Sequence, residues 1–276
     1  MCRWLAYSGS PIRPEELLLV PSHSLIDQSL HSRMGATTTN GDGFGLGWYG
    51  VGDTPGVFHS TEPAWNDRNL KELARHVVTP LLFAHVRAST GGAIQQTNCH
   101  PFRHGSWLWM HNGLIREFAT VKRDLAFAVD PSLFPLIEGS TDSELFFYLA
   151  LTMGLHDDPA AAVERAVGLI ERVGHDHGVA EPIQMTVATT DGRSTWTFRY
   201  SSEHQSRSLF FSTDVATLRV QYPDNPALHQ LSDETRLVVS EPFGDLAGAW
   251  HEVPESSWGV VHEGPDELHP FHPRTP

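Results

Sequence analysis

Cys2 stands directly behind Met1. Removal of Met1 would leave one residue carrying both a thiol and a free α-amine, and an N-terminal amine can act as the base that a thiol nucleophile needs. With reference pKa values of about 8 for the amine and about 8.5 for the thiol, proton exchange between them is nearly balanced at neutral pH. On position alone the plainer role is a small buried side chain opening a strand, so the chemistry depends on what the rest of the chain brings. Three further places put polar groups at the ends of expected elements: Arg87, His111-Asn112-Gly113 and Asp142. An arginine offers a planar fork matched to a carboxylate. A side-chain amide and a backbone N–H can meet an oxyanion, and a carboxylate can take an ammonium group. Singly, each also has a structural role. Arg87 can close a strand at the surface, Asn112-Gly113 can make a turn, and Asp142 can complement the positive end of a helix.

The elements that must position these groups can be read from pattern. Residues 2–8 alternate as a strand closed by Gly9 and Pro11. Pro14 to Leu19 opens a short helix with acids near its positive end, and residues 21–42 read as a long polar loop. From Asn40 to Gly50 glycines alternate with bulky residues. In a strand that strips one face, so that another segment or a ligand can approach the backbone. No Gly-Lys-Ser/Thr follows and the spacing is not GxGxxG, which sets aside a phosphate cradle. A helix is expected over 66–79, and the apolar run Leu81 to Ala88 reads as a central strand with His85 and Arg87 on one face. Trp107 to Met110 is a second buried strand, running into His111-Asn112-Gly113. Helices are expected over 114–129, from Gly139-Ser140-Thr141 onward with a Thr141–Glu144 capping box, and over 158–174. The remainder reads as strands at 183–190, 194–200, 207–212, 235–241 and 258–262, the first two joined by a turn at Asp191-Gly192. This order suggests layered α and β structure in one domain rather than a strict βαβ series.

Composition narrows the classes. Hydrophobic residues make up 40% of the 276, enough for a sizeable core. A net charge of −14 with 33 acidic residues argues against nucleic-acid binding and against an anionic membrane surface. The short apolar stretch Trp4 to Tyr7 falls short of a signal-peptide core, and no run approaches a membrane span. Only Cys2 and Cys99 are cysteines, so no disulfide framework is expected and a cytoplasmic setting is. Seventeen histidines raise the question of zinc, with Cys99, His100, His104 and His111 as the nearest cluster. Their spacing matches no standard zinc pattern, so neither a metal nor a cofactor is expected.

Six motifs occur in order along the chain: Met1-Cys2-Arg3, Asp42-Gly43-Phe44-Gly45-Leu46-Gly47-Trp48, His85-Val86-Arg87-Ala88-Ser89, Asn98-Cys99-His100-Pro101-Phe102, His111-Asn112-Gly113 and Thr141-Asp142-Ser143-Glu144. Each is weak alone, but the ordered set resembles the class II glutamine amidotransferases, which are N-terminal-nucleophile hydrolases. The resemblance covers about residues 2–150 by motif. Within that group it is most similar to the stand-alone branch that holds the YafJ-like proteins and the γ-glutamyl hydrolases of ergothioneine biosynthesis and glutathione breakdown. Residues 183–262 fit that branch more loosely, through their β character and Trp258-Gly259-Val260-Val261.

The resemblance implies an α+β fold, a four-layer αββα sandwich, over residues 1–276 as a single domain with an extended tail from about residue 264 to 276. It implies that Cys2 attacks the γ-carbonyl of glutamine or a γ-glutamyl amide, forming a γ-glutamyl thioester that water hydrolyses. Asn112 and the Gly113 N–H would form the oxyanion hole, Arg87 would hold the substrate α-carboxylate, and Asp142 its α-ammonium. His111 would shape the pocket, and Gly47 and Trp48 would let the backbone pass close to the nucleophile. The leaving amine, whether ammonia passed to a separate synthase or a larger conjugate, is left open. The contrasting reading is a catalytically silent ligand-binding or partner-regulating protein of the same fold. Retention of Cys2, Arg87, Asn112 and Asp142 together argues against it.

Overall fold

The computed structural model describes residues 2–34, 38–89, 92–261 and 267–275. Met1 and the first residues of the expected tail, 264–266, lie outside these.

The strands, in chain order, are β1 (Arg3–Ile12), β2 (Phe44–Trp48), β3 (Gly56–Ser60), β4 (Thr79–Val86), β5 (Phe102–His104), β6 (Trp107–Ile115), β7 (Ile183–Thr190), β8 (Thr195–Ser201), β9 (Phe210–Ser212), β10 (Arg236–Val239), β11 (Trp250–Glu252), β12 (Ser257–Val261) and β13 (Glu267–Pro270). The helices are α1 (Glu15–Leu18), α2 (Leu25–His31), α3 (Arg68–His76), α4 (Phe118–Phe127), α5 (Asp142–Thr152), α6 (Pro159–Asp176), α7 (Val215–Gln221) and α8 (Pro226–Gln230). Two antiparallel sheets result. The first has the order β11-β9-β10-β1-β4-β2-β3, and the second β13-β12-β8-β7-β6-β5.

Strict alternation along the strands sorts side chains into three apolar layers. On β1, Trp4 and Ala6 point between the sheets, where they meet Phe83 of β4, Leu108 and Met110 of β6, and Ala188 of β7. Leu5 and Tyr7 point the other way, onto Leu17 and Leu18 of α1, Leu25 of α2 and Leu70 of α3. The outer face of the second sheet, with Trp107, Trp109, Met185 and Phe198, packs on α4, α5 and α6. Helices on one side, two sheets, and helices on the other make the four-layer αββα sandwich that the motifs implied. A smaller cluster, Leu218, Leu228 and Ala249, seats α7 and α8 beside it.

Two glycines make the sheet packing possible. A Cβ on Gly45 would lie 2.2 Å from the His100 carbonyl oxygen, and one on Gly47 would lie 2.7 Å from both Leu108 and Pro101. The bare face of β2 therefore admits the segment leading into β5, a neighbouring chain segment rather than a ligand.

Several local expectations are corrected. The 21–42 stretch contains α2, started by Ser24, whose hydroxyl accepts from the Asp27 N–H at 3.3 Å. It buries Leu25 with Gln28 and Ser29, and so polar a buried face leaves no apolar period to read. His111-Asn112-Gly113 does not follow a strand but lies within β6, paired with Val187, Thr186 and Met185 of β7. The Asn-Gly turn signal is overridden by this ladder. The connection between β7 and β8 spans residues 191–194, with the Asp191 carboxylate accepting from the Arg193 and Ser194 amides, each at 2.9 Å. The expected capping box is half formed. Thr141 caps the Glu144 N–H, while the Glu144 carboxylate turns to the Glu138 and Gly139 amides. Within the expected extended tail, Glu267–Pro270 pairs with β12 and Phe271 is buried against Phe198 and Tyr200. Among the described residues no helix is long and apolar enough to cross a membrane.

Candidate active site

Sheet order places the start of β1 between β10 and β4, with Leu5 opposite Val239 and Arg3 opposite Val86. Cys2 is thus flanked by the chain leaving β4. Its Sγ accepts from the Ala88 N–H at 3.3 Å and lies 3.5 Å from the Ala88 carbonyl oxygen. Burial pushes the Cys2 thiol above its ordinary pKa, and the Ala88 amide with the charges of Arg87 and Arg3 offsets this only in part. Such a thiol stays protonated at neutral pH until a neighbouring base takes the proton.

The second sheet reaches the same point through Asn112, on the inter-sheet face of β6. Its Nδ2 donates to the Cys2 carbonyl oxygen at 3.0 Å, and its Oδ1 lies 3.2 Å from Nε2 of His85. A carbonyl oxygen can only accept, so the amide orientation is fixed, and His85 must carry its proton on Nε2 to donate. Burial drives the His85 pKa down to about 3, with its bond to Asn112 opposing, so the ring is neutral. Among the described residues only one of the two Asn112 Nδ2 hydrogens has an acceptor.

A cavity of about 830 Å³ opens beside Cys2. Its wall includes Arg87, His111, Asn112, Gly113 and Asp142, so five groups read from three separate motifs share one space with the thiol. Arg87 is buried, yet its bonds to the Asp42 carbonyl and the Ser89 hydroxyl are long, 3.4 Å each. Its fork is held loosely enough to turn to a ligand. Asp142 opens α5, its carboxylate accepting from the Ile115 and Ser143 amides at 2.8 Å each. His111 faces the helical layer and bonds Ser143 Oγ at 2.8 Å. Burial lowers its pKa, with the charge of Asp142 opposing. Gly113 has φ of +154° and a Cβ there would lie 1.9 Å from the Gln184 carbonyl oxygen, so only glycine fits. Gly47 and Trp48 lie outside the wall. Gly47 faces Leu108 and Pro101, and Trp48 lies over Gly56 at the edge of the outer core.

Pattern reading did not find a buried network behind Cys2. Arg3 donates from one nitrogen to the Cys2 carbonyl at 2.9 Å and from Nε to Glu241 at 2.7 Å. Glu241 also meets His23 Nε2 at 2.6 Å and accepts from the Ser32 hydroxyl and the Arg33 and Met34 amides. It therefore ties the start of β1 to the segment carrying Met34, a cavity wall residue. Only Arg3 had a sequence signal, its place beside Cys2. Glu241 has none, because its partners lie more than 200 residues away. Asn98 is a second such post. It holds the Ala93 carbonyl and the Ser140 amide, each at 2.9 Å, on the wall beside Asp142.

The residues weighed for zinc do not converge. Cys99 Sγ lies against the Ser60 and Gln95 carbonyls, and the His104 ring packs near Tyr148 and His156. Among the described residues no group of three or more His, Cys, Asp or Glu is placed to hold a metal ion.

Known proteins resemble this chain in sequence and fold. Over 98% of the chain the sequence is 35% identical to the "Probable glutamine amidotransferase DUG3" of Saccharomyces cerevisiae, covering 84% of that protein. It is 27% identical to the "Gamma-glutamyl-hercynylcysteine sulfoxide hydrolase" of Mycolicibacterium smegmatis, over 84% of this chain and 93% of that one. A glutamine aminotransferase class-II domain protein from Silicibacter pomeroyi superposes with a TM-score of 0.76 at 28% identity, covering 99% of this chain and 100% of that one. The glutamine phosphoribosylpyrophosphate amidotransferase of B. subtilis shares the fold, with a TM-score of 0.65 at 13% identity over 99% of this chain and half of its own. The sequence model of the family described as "Glutamine amidotransferases class-II" matches residues 18–272, and on that match the chain belongs to the class II glutamine amidotransferases.

Proposed function

We propose that this enzyme hydrolyses the γ-carboxamide of glutamine or of a γ-glutamyl conjugate, with Cys2, as the first residue after loss of Met1, acting as nucleophile. The free amine takes the thiol proton, and sulfur attacks the γ-carbon to give a tetrahedral oxyanion. The second Asn112 Nδ2–H and the Gly113 N–H receive that oxyanion. As the intermediate collapses, the C–N bond breaks and the leaving amine departs with the proton from the Cys2 amine. A γ-glutamyl thioester remains. Water adds to it, the C–S bond breaks, and glutamate leaves. Arg87 takes the α-carboxylate as a bidentate pair and Asp142 the α-ammonium, so the amino-acid end is clamped while the γ-carbon reaches sulfur.

The observation that carries this reading is the convergence of Cys2, Arg87, Asn112, Gly113 and Asp142 on one cavity, from separate stretches of chain and both sheets. The raised thiol pKa fits a nucleophile that needs a base beside it. We take the described chain as one catalytic domain that releases its amine by itself or to a separate synthase. The test is glutamate release from glutamine and from a series of γ-glutamyl amides, together with N-terminal mass analysis. We expect activity only in protein lacking Met1, and a loss of at least about 1,000-fold in Cys2→Ala with an unchanged thermal midpoint. Turnover that survives in Cys2→Ala would rule out the mechanism.

A further inference from the structure

The charges around the cavity do not balance against glutamine alone. Among the described residues its wall contains three arginines, Arg3, Arg87 and Arg207, but a single carboxylate, Asp142. On the reading above, Arg87 and Asp142 match the two charges of the amino-acid end. Arg3 is already paired with Glu241 at 2.7 Å. Arg207 is left over. Among the described residues its guanidinium makes neither a hydrogen bond nor an ion pair. The nearby acid Glu203 is taken by Arg116 and Gln184. In a chain of net charge −14, an arginine left without a partner in a cavity wall needs a reason. Burial and the neighbouring charge of Arg3 both make its charge costly to keep there.

Its position gives the reason. Across the first sheet β1 has β4 on one side and β10, then β9, on the other. Arg87 lies just beyond β4, whereas Ser240 follows β10 and Ser208 leads into β9. In the second sheet β6 carries Asn112 and Gly113, with β5 to one side and β7 and β8 to the other. Arg207 comes after β8. In the first sheet, then, Arg207, on the segment leading into β9, lies across β1 and Cys2 from Arg87. That is the side toward which the leaving amine must point. The segment is also fixed in advance. The Ser206 hydroxyl is bound by Glu255 and Arg199, and the Ser208 hydroxyl donates to the Ser240 carbonyl at 2.9 Å. A cavity of about 830 Å³ is at the upper end for small-molecule sites, roughly 300–1,000 Å³, and far larger than glutamine requires.

We infer that Arg207 is the specificity residue for the leaving group, pairing with a carboxylate on the departing amine. This rests on the hydrolase reading, and the matched pair γ-glutamylglycine and γ-glutamylmethylamide separates the two, because they differ only in that carboxylate. The readout is the ratio of kcat/KM for the two amides in wild type, Arg207→Met and Arg207→Lys. Wild type should favour γ-glutamylglycine. The ratio should fall about 10- to 100-fold in Arg207→Met, mainly through KM, and Arg207→Lys should recover part of it. A ratio that is the same in wild type and Arg207→Met, or a wild type that favours the neutral amide, overturns the assignment. If no amide is cleaved, the hydrolase reading fails, and calorimetry on Cys2→Ala with and without Arg207→Met judges the subsite. Binding of γ-glutamylglycine that weakens about 10-fold or more without Arg207 supports it, and binding that does not depend on Arg207 overturns it.

Discussion

Asn112 joins the two sheets at the nucleophile, and its whole amide is committed. One hydrogen fixes the Cys2 carbonyl at 3.0 Å, the oxygen lies 3.2 Å from the neutral His85, and among the described residues the other hydrogen has no acceptor, as the proposed oxyanion role requires. The neutrality of His85 matters here. The amide orientation set by the Cys2 carbonyl asks only for a proton on Nε2, and a second positive charge beside Arg87 would be costly in so buried a place. On the proposed mechanism, removing the amide takes away one oxyanion donor, for which losses of about 100- to 1,000-fold in kcat are typical. Asn112→Ala should therefore lose about 100-fold or more in kcat with a much smaller change in KM, read by steady-state kinetics on glutamine. A loss confined to KM would place Asn112 in ground-state binding instead.

At the level of elements, β6 serves two neighbours at once. Asn112 points between the sheets toward Cys2, while His111 points to α5 and bonds Ser143 beside Asp142. One strand thus sets the distance between the nucleophile and the start of α5. The other demand on the elements is close approach of the sheets. Gly45 leaves room for the His100 carbonyl, where a Cβ would lie 2.2 Å away. Relief requires the backbone of β2 or of residues 100–101 to shift, and overpacking of this kind costs about 1–3 kcal/mol. Gly45→Ala should lower stability by at least that much in denaturant unfolding. Gly50→Ala, where a Cβ would meet nothing within 4 Å, should lie near wild type.

Across the whole molecule, burying histidines as neutral rings makes stability depend on pH. His85, His100 and His111 are each held below the ordinary value of 6.5, in every case chiefly by burial, and His59 follows the same direction. Below 6.5 the unfolded chain takes up protons that the folded one refuses, so stability is full above that pH and falls as acid is added. His85, with its pKa at about 3, accounts for a loss of about 2 kcal/mol by pH 5, and the others add in the same direction. The carboxyls of Asp27 and Glu241 are lowered despite their burial, through their hydrogen bonds. They release their stabilisation only as the pH falls below the ordinary carboxylate range. Denaturant midpoints should drop steadily from pH 7 to pH 5, before the Asp27 and Glu241 carboxyls titrate, and a flat profile there would count against neutral burial of these rings.

Alternation on β1 and β4, helical spacing in α3 and α6, and the glycine pattern of β2 were legible because each is a short-range demand of burial. The six ordered motifs carried the family for a similar reason, since Cys2, Arg87, Asn112 and Asp142 are each embedded in local residue types that chemistry constrains. Tertiary structure alone decided the rest. It carried His111-Asn112-Gly113 through the middle of a strand, because pairing with β7 outweighs a turn preference. It also drew Glu241 to Arg3 and His23, and set Arg207 across Cys2 from Arg87. Those placements follow from which strands lie side by side, and strand order is fixed by the summed burial of two sheets rather than by any local stretch of sequence.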